Sequence, residues 1–231
     1  MSIFGAATEE KAYFAPFAVF LGFLALNELV GKLAEGVAGV WWLSEPRLWI
    51  FPLQTLVCGW LLIRWWRFYS LKAPARAGFA VAVGIVVLLA WIAPQAWLGF
   101  PPRLKGFDPT YFGPSGPSFI VTVALRFFRL VVVVPLVEEI FWRGYLLRLI
   151  VAEPFNSVPV GTFSWRSFAI VTAGFCLEHQ PSDWPAAIFA GVLYNVVAYR
   201  CRSLSACVLA HAITNLLLGV YVMRTGQWGF W

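Results

Sequence analysis

The sequence predicts an all-α fold, a polytopic membrane bundle of seven transmembrane helices, or eight if a short partial helix is added. Three observations lead there. Of 231 residues, 61% are hydrophobic, 18% aromatic and only 12% charged, against about 25% charged in an ordinary globular chain. A mean hydropathy of +0.76 excludes a disordered chain and leaves too little polar surface to cover a water-soluble core. Finally, the apolar residues gather into runs of the length, about 20 residues, that a helix needs to cross roughly 30 Å of hydrocarbon.

The first run covers 12–30. The residues before it, Met1 to Lys11, lack the basic start of a cleaved signal peptide, so a retained first helix is expected. Trp41-Trp42-Leu43, after a glycine-rich stretch, is the candidate partial or interfacial helix. Runs at 48–66, 78–98 and 119–149 supply three further spans. Between the last two, Gly99 to Ser118 holds five prolines and four glycines, a composition that forbids a helix interior and predicts a loop. Three more runs follow at 166–179, 184–199 and 204–223; the first is short and is closed by His179-Gln180-Pro181-Ser182-Asp183. No internal repeat or low-complexity tract interrupts the chain, so 1–231 is expected to be one membrane domain.

The 17 Lys and Arg outnumber the 11 Asp and Glu, for a net charge of +6. These charges sit between apolar runs, where they read as topology signals at an anionic bilayer face and not as a nucleic-acid groove. On alternate helix ends stand Lys11, Arg64, Arg67, Lys72, Arg76, Arg143, Arg148, Arg166, Arg200 and Arg202, ten in all; the opposite ends carry Lys32, Arg47, Arg103, Lys105 and Arg224. Basic loops stay inside, which predicts a cytoplasmic N-terminus. Arg126 and Arg129, early in the fourth span, fall outside this count. Most tryptophans, from Trp41 to Trp231, lie where a span meets the interface; Trp60 and Trp142 do not. Cys58, Cys176, Cys201 and Cys207 show no CxxC pairing and read as small apolar side chains.

Ionisable groups inside spans are costly and point to function. Glu138 and Glu139 follow the apolar run Val131–Val134 and Pro135, which removes a backbone hydrogen bond and is expected to kink the helix. Glu139 and Arg143 are one turn apart and can pair, whereas Glu138 is rotated by about 140° from Arg143. Glu139 with Arg143 therefore reads as an ion pair, and Glu138 as the carboxylate left for chemistry. Trp142, one turn after Glu138, reads as packing or as a pocket wall. His179 ends the short helix, where a histidine is commonly a cap, and Glu178 precedes it. His211 and Asn215 stack one turn apart in the last span, forming either a polar site or an interhelical hydrogen-bond pair. If Glu138, His179, His211 and Asn215 converge, they supply a general base, a second acid/base and two donors away from bulk water, the equipment for water-mediated acyl cleavage.

The order Glu138-Glu139-x-x-x-Arg143, Phe175-x-x-x-His179, His211-x-x-x-Asn215 on successive helices resembles the three motifs of the CPBP family. That family joins the CAAX prenyl endopeptidases of the Ras-converting type to prokaryotic proteins of bacteriocin processing and self-immunity. The resemblance covers roughly residues 119–220, so 1–118 supplies the N-terminal spans and loop and 119–223 a catalytic core. It implies an intramembrane glutamic endopeptidase in a prokaryotic plasma membrane, acting on a peptide or protein substrate without a cofactor. Glu138 would activate water with help from His179, His211 and Asn215 would hold the oxyanion, and Glu139 and Arg143 would hold the site together. Glu178 is a departure, a carboxylate the motif does not require.

Three other readings remain open. Glu138, His179 and His211 match a His2Glu zinc site, although no HExxH occurs. The scaffold would also serve a non-catalytic immunity or assembly protein that binds a peptide. A solute carrier using the buried glutamate as a proton relay lacks the expected inverted repeats.

Overall fold

Each apolar run forms a helix. In the computed structural model, which describes residues 3–34 and 40–231, α1 is Ile3–Leu33, α2 the single turn Trp41–Ser44, α3 Arg47–Arg64 and α4 Ala77–Ala96. The long α5 runs through Pro117–Leu149; α6 is Trp165–Leu177, α7 Trp184–Cys201 and α8 Leu204–Thr225. No strand occurs among the described residues. The expected partial helix is α2, and the expected loop separates α4 from Pro117, whose missing N–H is harmless at a helix start.

By length and apolarity, α4, α5, α8 and Thr8–Leu33 of α1 are able to cross a membrane. The α3 and α7 helices have 18 residues each. The run at 166–179, the short one among the expected spans, forms the 13-residue α6, rising about 20 Å and falling short of the hydrocarbon thickness. The α6–α7 hairpin turns at 178–183, and this turn carries His179 into the bundle. Outward faces are apolar, as lipid requires: Leu53, Leu56, Trp60 and Ile63 of α3 are exposed, while Gln54, Thr55 and Cys58 point inward and are buried. Trp60 is thus a lipid-facing residue within its helix.

Two basic residues in the topology count prove to be interior. Arg143 is fully buried and Arg148 nearly so, the latter donating to the carbonyls of Val158 at 2.6 Å and Gly144 at 2.9 Å. Without them the balance is eight to five, of unchanged sign.

Pro135, expected to kink the helix, is accompanied in α5 by a change of winding. Arg129–Val133 and Ile140–Leu146 are π-helical, and the Val134 N–H donates to the Arg129 carbonyl five residues back. Next in that register, Pro135 has no N–H for the Leu130 carbonyl. Asn215 of α8 supplies it, Nδ2 donating at 2.8 Å.

The α4 and α8 helices meet at a glycine. The Thr214 hydroxyl lies 2.9 Å from the Gly84 carbonyl oxygen, and a Cβ on Gly84 would stand 2.5 Å from the Ala210 carbonyl oxygen. Gly84→Val should therefore force the helices apart and cost about 1–3 kcal/mol, read as a lower thermal midpoint in detergent. Gly22→Ala, where a Cβ meets nothing within 4 Å, should leave the midpoint level or higher.

Candidate active site

The site is built around Arg143. Its Nη1 donates to Glu139 Oε1 at 3.0 Å, Nε to Asn195 Oδ1 at 3.0 Å and Nη2 to the Gly191 carbonyl at 3.2 Å. The guanidinium lies 4.9 Å from the Phe175 ring centroid and 5.5 Å from that of Tyr194. Asn195 in turn donates from Nδ2 to Thr172 Oγ1 at 3.1 Å. The expected Glu139–Arg143 pair is therefore present, and four helices meet on it.

Glu139 Oε1 also faces His211, whose Nδ1 stands 3.0 Å away. A carboxylate paired with arginine only accepts, so Nδ1 carries the proton. That turns Nε2 toward Glu138, 4.0 Å from its Oε2. This separation is too long for a direct hydrogen bond. Tyr194 stacks on the imidazole at 5.1 Å and 23°, with its hydroxyl donating to Thr214 Oγ1 at 2.8 Å. Glu138 itself is 5% exposed, and its Oε2 has no hydrogen-bond partner among the described residues. Two adjacent glutamates thus have opposite surroundings: one is tied into the bundle, the other meets a cavity.

That cavity, about 220 Å³, is lined by Glu138, Glu178, His179, His211 and Asn215, with Trp91, Arg129 and Tyr194 among their neighbours. It brings together the four residues expected for chemistry; Glu139 and Arg143 lie behind them. His179 is also the helix cap that its position suggested. Its Nδ1 lies 2.8 Å from the Phe175 carbonyl of its own helix, so Nδ1 donates and the neutral ring has its lone pair on Nε2. Phe175 and Trp91 flank the ring at 4.9 and 5.4 Å. Asn215 serves α5 with one amide hydrogen, as the interhelical reading foresaw, and keeps the other. Glu178 turns toward α5, where Oε2 accepts from Trp142 Nε1 at 3.0 Å, while Oε1 is buried without a partner. Trp142 packs in the bundle against Gly174, where a Cβ would stand 2.8 Å from its ring.

Among the described residues, no three His, Cys, Asp or Glu side chains are grouped to hold a metal ion. The four cysteines are free and buried.

Several site residues escaped sequence reasoning. Gln54 accepts from Arg129 Nε at 2.8 Å, and Asn195 completes the Arg143 shell. Both are carboxamides within apolar runs, a signal as legible as Asn215. Arg129 carried the same signal, fell outside the topology count and was given no role. Trp91 and Tyr194 offered none, since aromatic residues are ordinary in spans.

The protein-family model described as Rce1-like, the type II CAAX prenyl endopeptidases, matches residues 119–217. The match runs from the first turn of α5 to just beyond Asn215, so it includes all three motifs, and the resemblance read from them agrees with it. A search of the curated proteins and of the solved structures finds no match.

The unlike surroundings of the two glutamates should separate in stability. Arg143→Ala takes the guanidinium from the buried Glu139 carboxylate, leaving it only the His211 N–H, and should cost about 3–5 kcal/mol. Glu138→Gln removes no hydrogen bond and should unfold in detergent within a few degrees of the wild type.

Proposed function

We propose that this integral membrane protein, whose residues 119–217 match the Rce1-like endopeptidases, is an intramembrane endopeptidase that hydrolyses a peptide bond with a glutamate-activated water. The observation that carries the reading is the free carboxylate of Glu138 facing His211 Nε2 across 4.0 Å on the wall of a cavity shared with His179 and Asn215. One water fits such a gap, donating to Glu138.

In the reaction, Glu138 takes a proton from that water as its oxygen attacks the carbonyl carbon of the scissile bond. The carbonyl oxygen becomes an oxyanion. His211 donates to it from Nε2, which requires the imidazolium form, and Glu139 holds that charge from the Nδ1 side. The free amide hydrogen of Asn215 is the second donor. Collapse of the intermediate breaks the C–N bond, and the proton held by Glu138 passes to the leaving amine. His179, with Nδ1 committed to Phe175, has Nε2 available to accept a hydrogen bond from the water. Glu139 and Arg143 act by position and touch no substrate.

The substrate is a peptide or protein at the bilayer, and the membrane is a prokaryotic plasma membrane with the chain's N-terminus in the cytoplasm. In that orientation the α6–α7 turn and Arg47 face away from the cytoplasm. The zinc and peptide-binding readings are separated from this one by assay.

With purified protein and a panel of quenched fluorescent peptides, cleavage should survive EDTA. Glu138→Ala and His211→Ala should each lower kcat at least about a hundredfold. Loss with EDTA and return with zinc would favour the metalloprotease, and equal weak cleavage by all three proteins would favour a binding protein. Orientation has its own assay. The native cysteines are buried, so a membrane-impermeant maleimide should label Gln180→Cys in intact cells and Lys72→Cys only after lysis.

A further inference from the structure

Glu178 lines the active-site cavity, yet the motif around it does not require it and the reaction above does not use it. It is the first residue after α6, where the chain turns beside His179. Oε2 accepts from Trp142 Nε1 at 3.0 Å. Trp142 is itself fixed, buried against Phe17 and Phe141 with ring centroids 5.2 and 4.8 Å away. Oε1 is buried and bonds to nothing, and among the described residues no Lys, Arg or His nitrogen stands within 4.0 Å of either oxygen. A carboxylate left in that state is costly. One hydrogen bond from an indole does not offset the charge.

The cations of the site are already engaged. Arg143 spends its donors on Glu139, Asn195 and Gly191. Arg129, which shares the cavity wall, gives Nε to Gln54 and lies over the rings of Phe51 and Phe20. Arg103 pairs with Asp183, so the third acidic residue on the wall is spent. Glu138, the remaining carboxylate there, is 5% exposed, and its Oε2 is also without a partner. Two unpartnered carboxylate oxygens therefore share one wall, and what completes such a wall is positive charge carried in by a bound molecule.

We propose that Glu178 is a specificity residue that receives the ammonium of a lysine in the peptide substrate, at a position close to the bond that is cut. The inference deepens the endopeptidase reading and rests on it. Glu178 and Glu138 line one cavity of about 220 Å³, and an extended chain advances only about 3.3–3.6 Å per residue, which keeps the recognised side chain within about two residues of the scissile bond. Trp91, Leu130 and Phe175 on the wall give its methylene stem an apolar track, along which the charged head reaches Oε1. An ammonium is a compact point charge that one oxygen satisfies, whereas the parallel bonds of a guanidinium use both oxygens. Trp142 already engages Oε2, so the site fits lysine.

The test digests a randomised dodecapeptide pool, with lysine, norleucine and glutamate at equal frequency in every position, and reads the residues around each cut bond by mass spectrometry. The wild type in detergent should favour lysine over norleucine about tenfold or more at one position near the cut bond. Glu178→Gln keeps an acceptor for Trp142 and should unfold within a few degrees of the wild type, while its ratio of lysine to norleucine falls toward one. Glu178→Lys should turn the preference toward glutamate; where that variant does not fold, Glu178→Gln decides. Equal use of lysine and norleucine by the wild type overturns the proposal. So does a lysine preference that persists in Glu178→Gln, or one spread evenly along the peptide. A binding measurement separates this from the endopeptidase reading. Two fluorescein-labelled pools, one containing lysine and one norleucine in its place, are added to Glu138→Gln protein with and without Glu178→Gln. Tighter binding of the lysine pool that depends on Glu178, with no cleavage by the wild type, removes the endopeptidase reading and keeps the lysine site; cleavage without lysine preference does the reverse.

Discussion

A guanidinium sealed inside a lipid-embedded bundle must spend its donors on fixed partners, and Arg143 does so across helices. It bonds Glu139 on its own helix and Asn195 and Gly191 on α7. Asn195 carries the network to Thr172 of α6, and Glu139 carries it to His211 of α8. Helix association in lipid has no hydrophobic driving force, since lipid tails are as apolar as leucine, so packing and polar contacts select the arrangement. Here the contacts that set the arrangement also set the chemistry. Because Glu139 Oε1 receives both Arg143 and His211, the imidazole is aimed with Nε2 toward Glu138.

Irregular backbone within a bilayer is tolerated where protein or a cavity receives its polar groups. Pro135 creates such a place, and the π-wound turns around it put the Leu130 carbonyl where Asn215 meets it. Asn215 spends one amide hydrogen and His179 one ring nitrogen on a backbone carbonyl while facing the cavity. The bland and the functional readings of these residues are therefore both satisfied, at different atoms. Locking one end of a side chain is also how a site gains preorganisation.

The far side of the site is aromatic and comes from chain segments remote in sequence. Phe107 of the loop after α4 donates its N–H to the Trp231 carbonyl at 3.3 Å, and Gly229 donates to the Arg103 carbonyl at 2.7 Å. Arg103 also pairs with Asp183 on the α6–α7 turn and lies 4.6 Å from the Phe230 centroid. Loop, hairpin turn and final residues thereby fasten to one another, and Phe230 and Trp231 become cavity wall. The proline-rich composition that predicted only a loop did not predict this fastening.

Apolar length alone determined the helices, because hydrocarbon of given thickness demands runs of given size. Pairing of Glu139 with Arg143 was equally legible, since partners four residues apart are neighbours in any helix. The order of Glu138, His179, His211 and Asn215 along the chain pointed to a hydrolytic site without locating it. Tertiary structure decided which nitrogen of each histidine is engaged, that Arg143 and Arg148 are interior, and that Arg126 and Arg129 meet a cavity beside Glu138. These facts depend on the rotation of each helix about its axis. In water an apolar stripe announces that rotation; in lipid both faces are apolar, and only contacts such as Asn215 with Leu130, 85 residues apart, settle it.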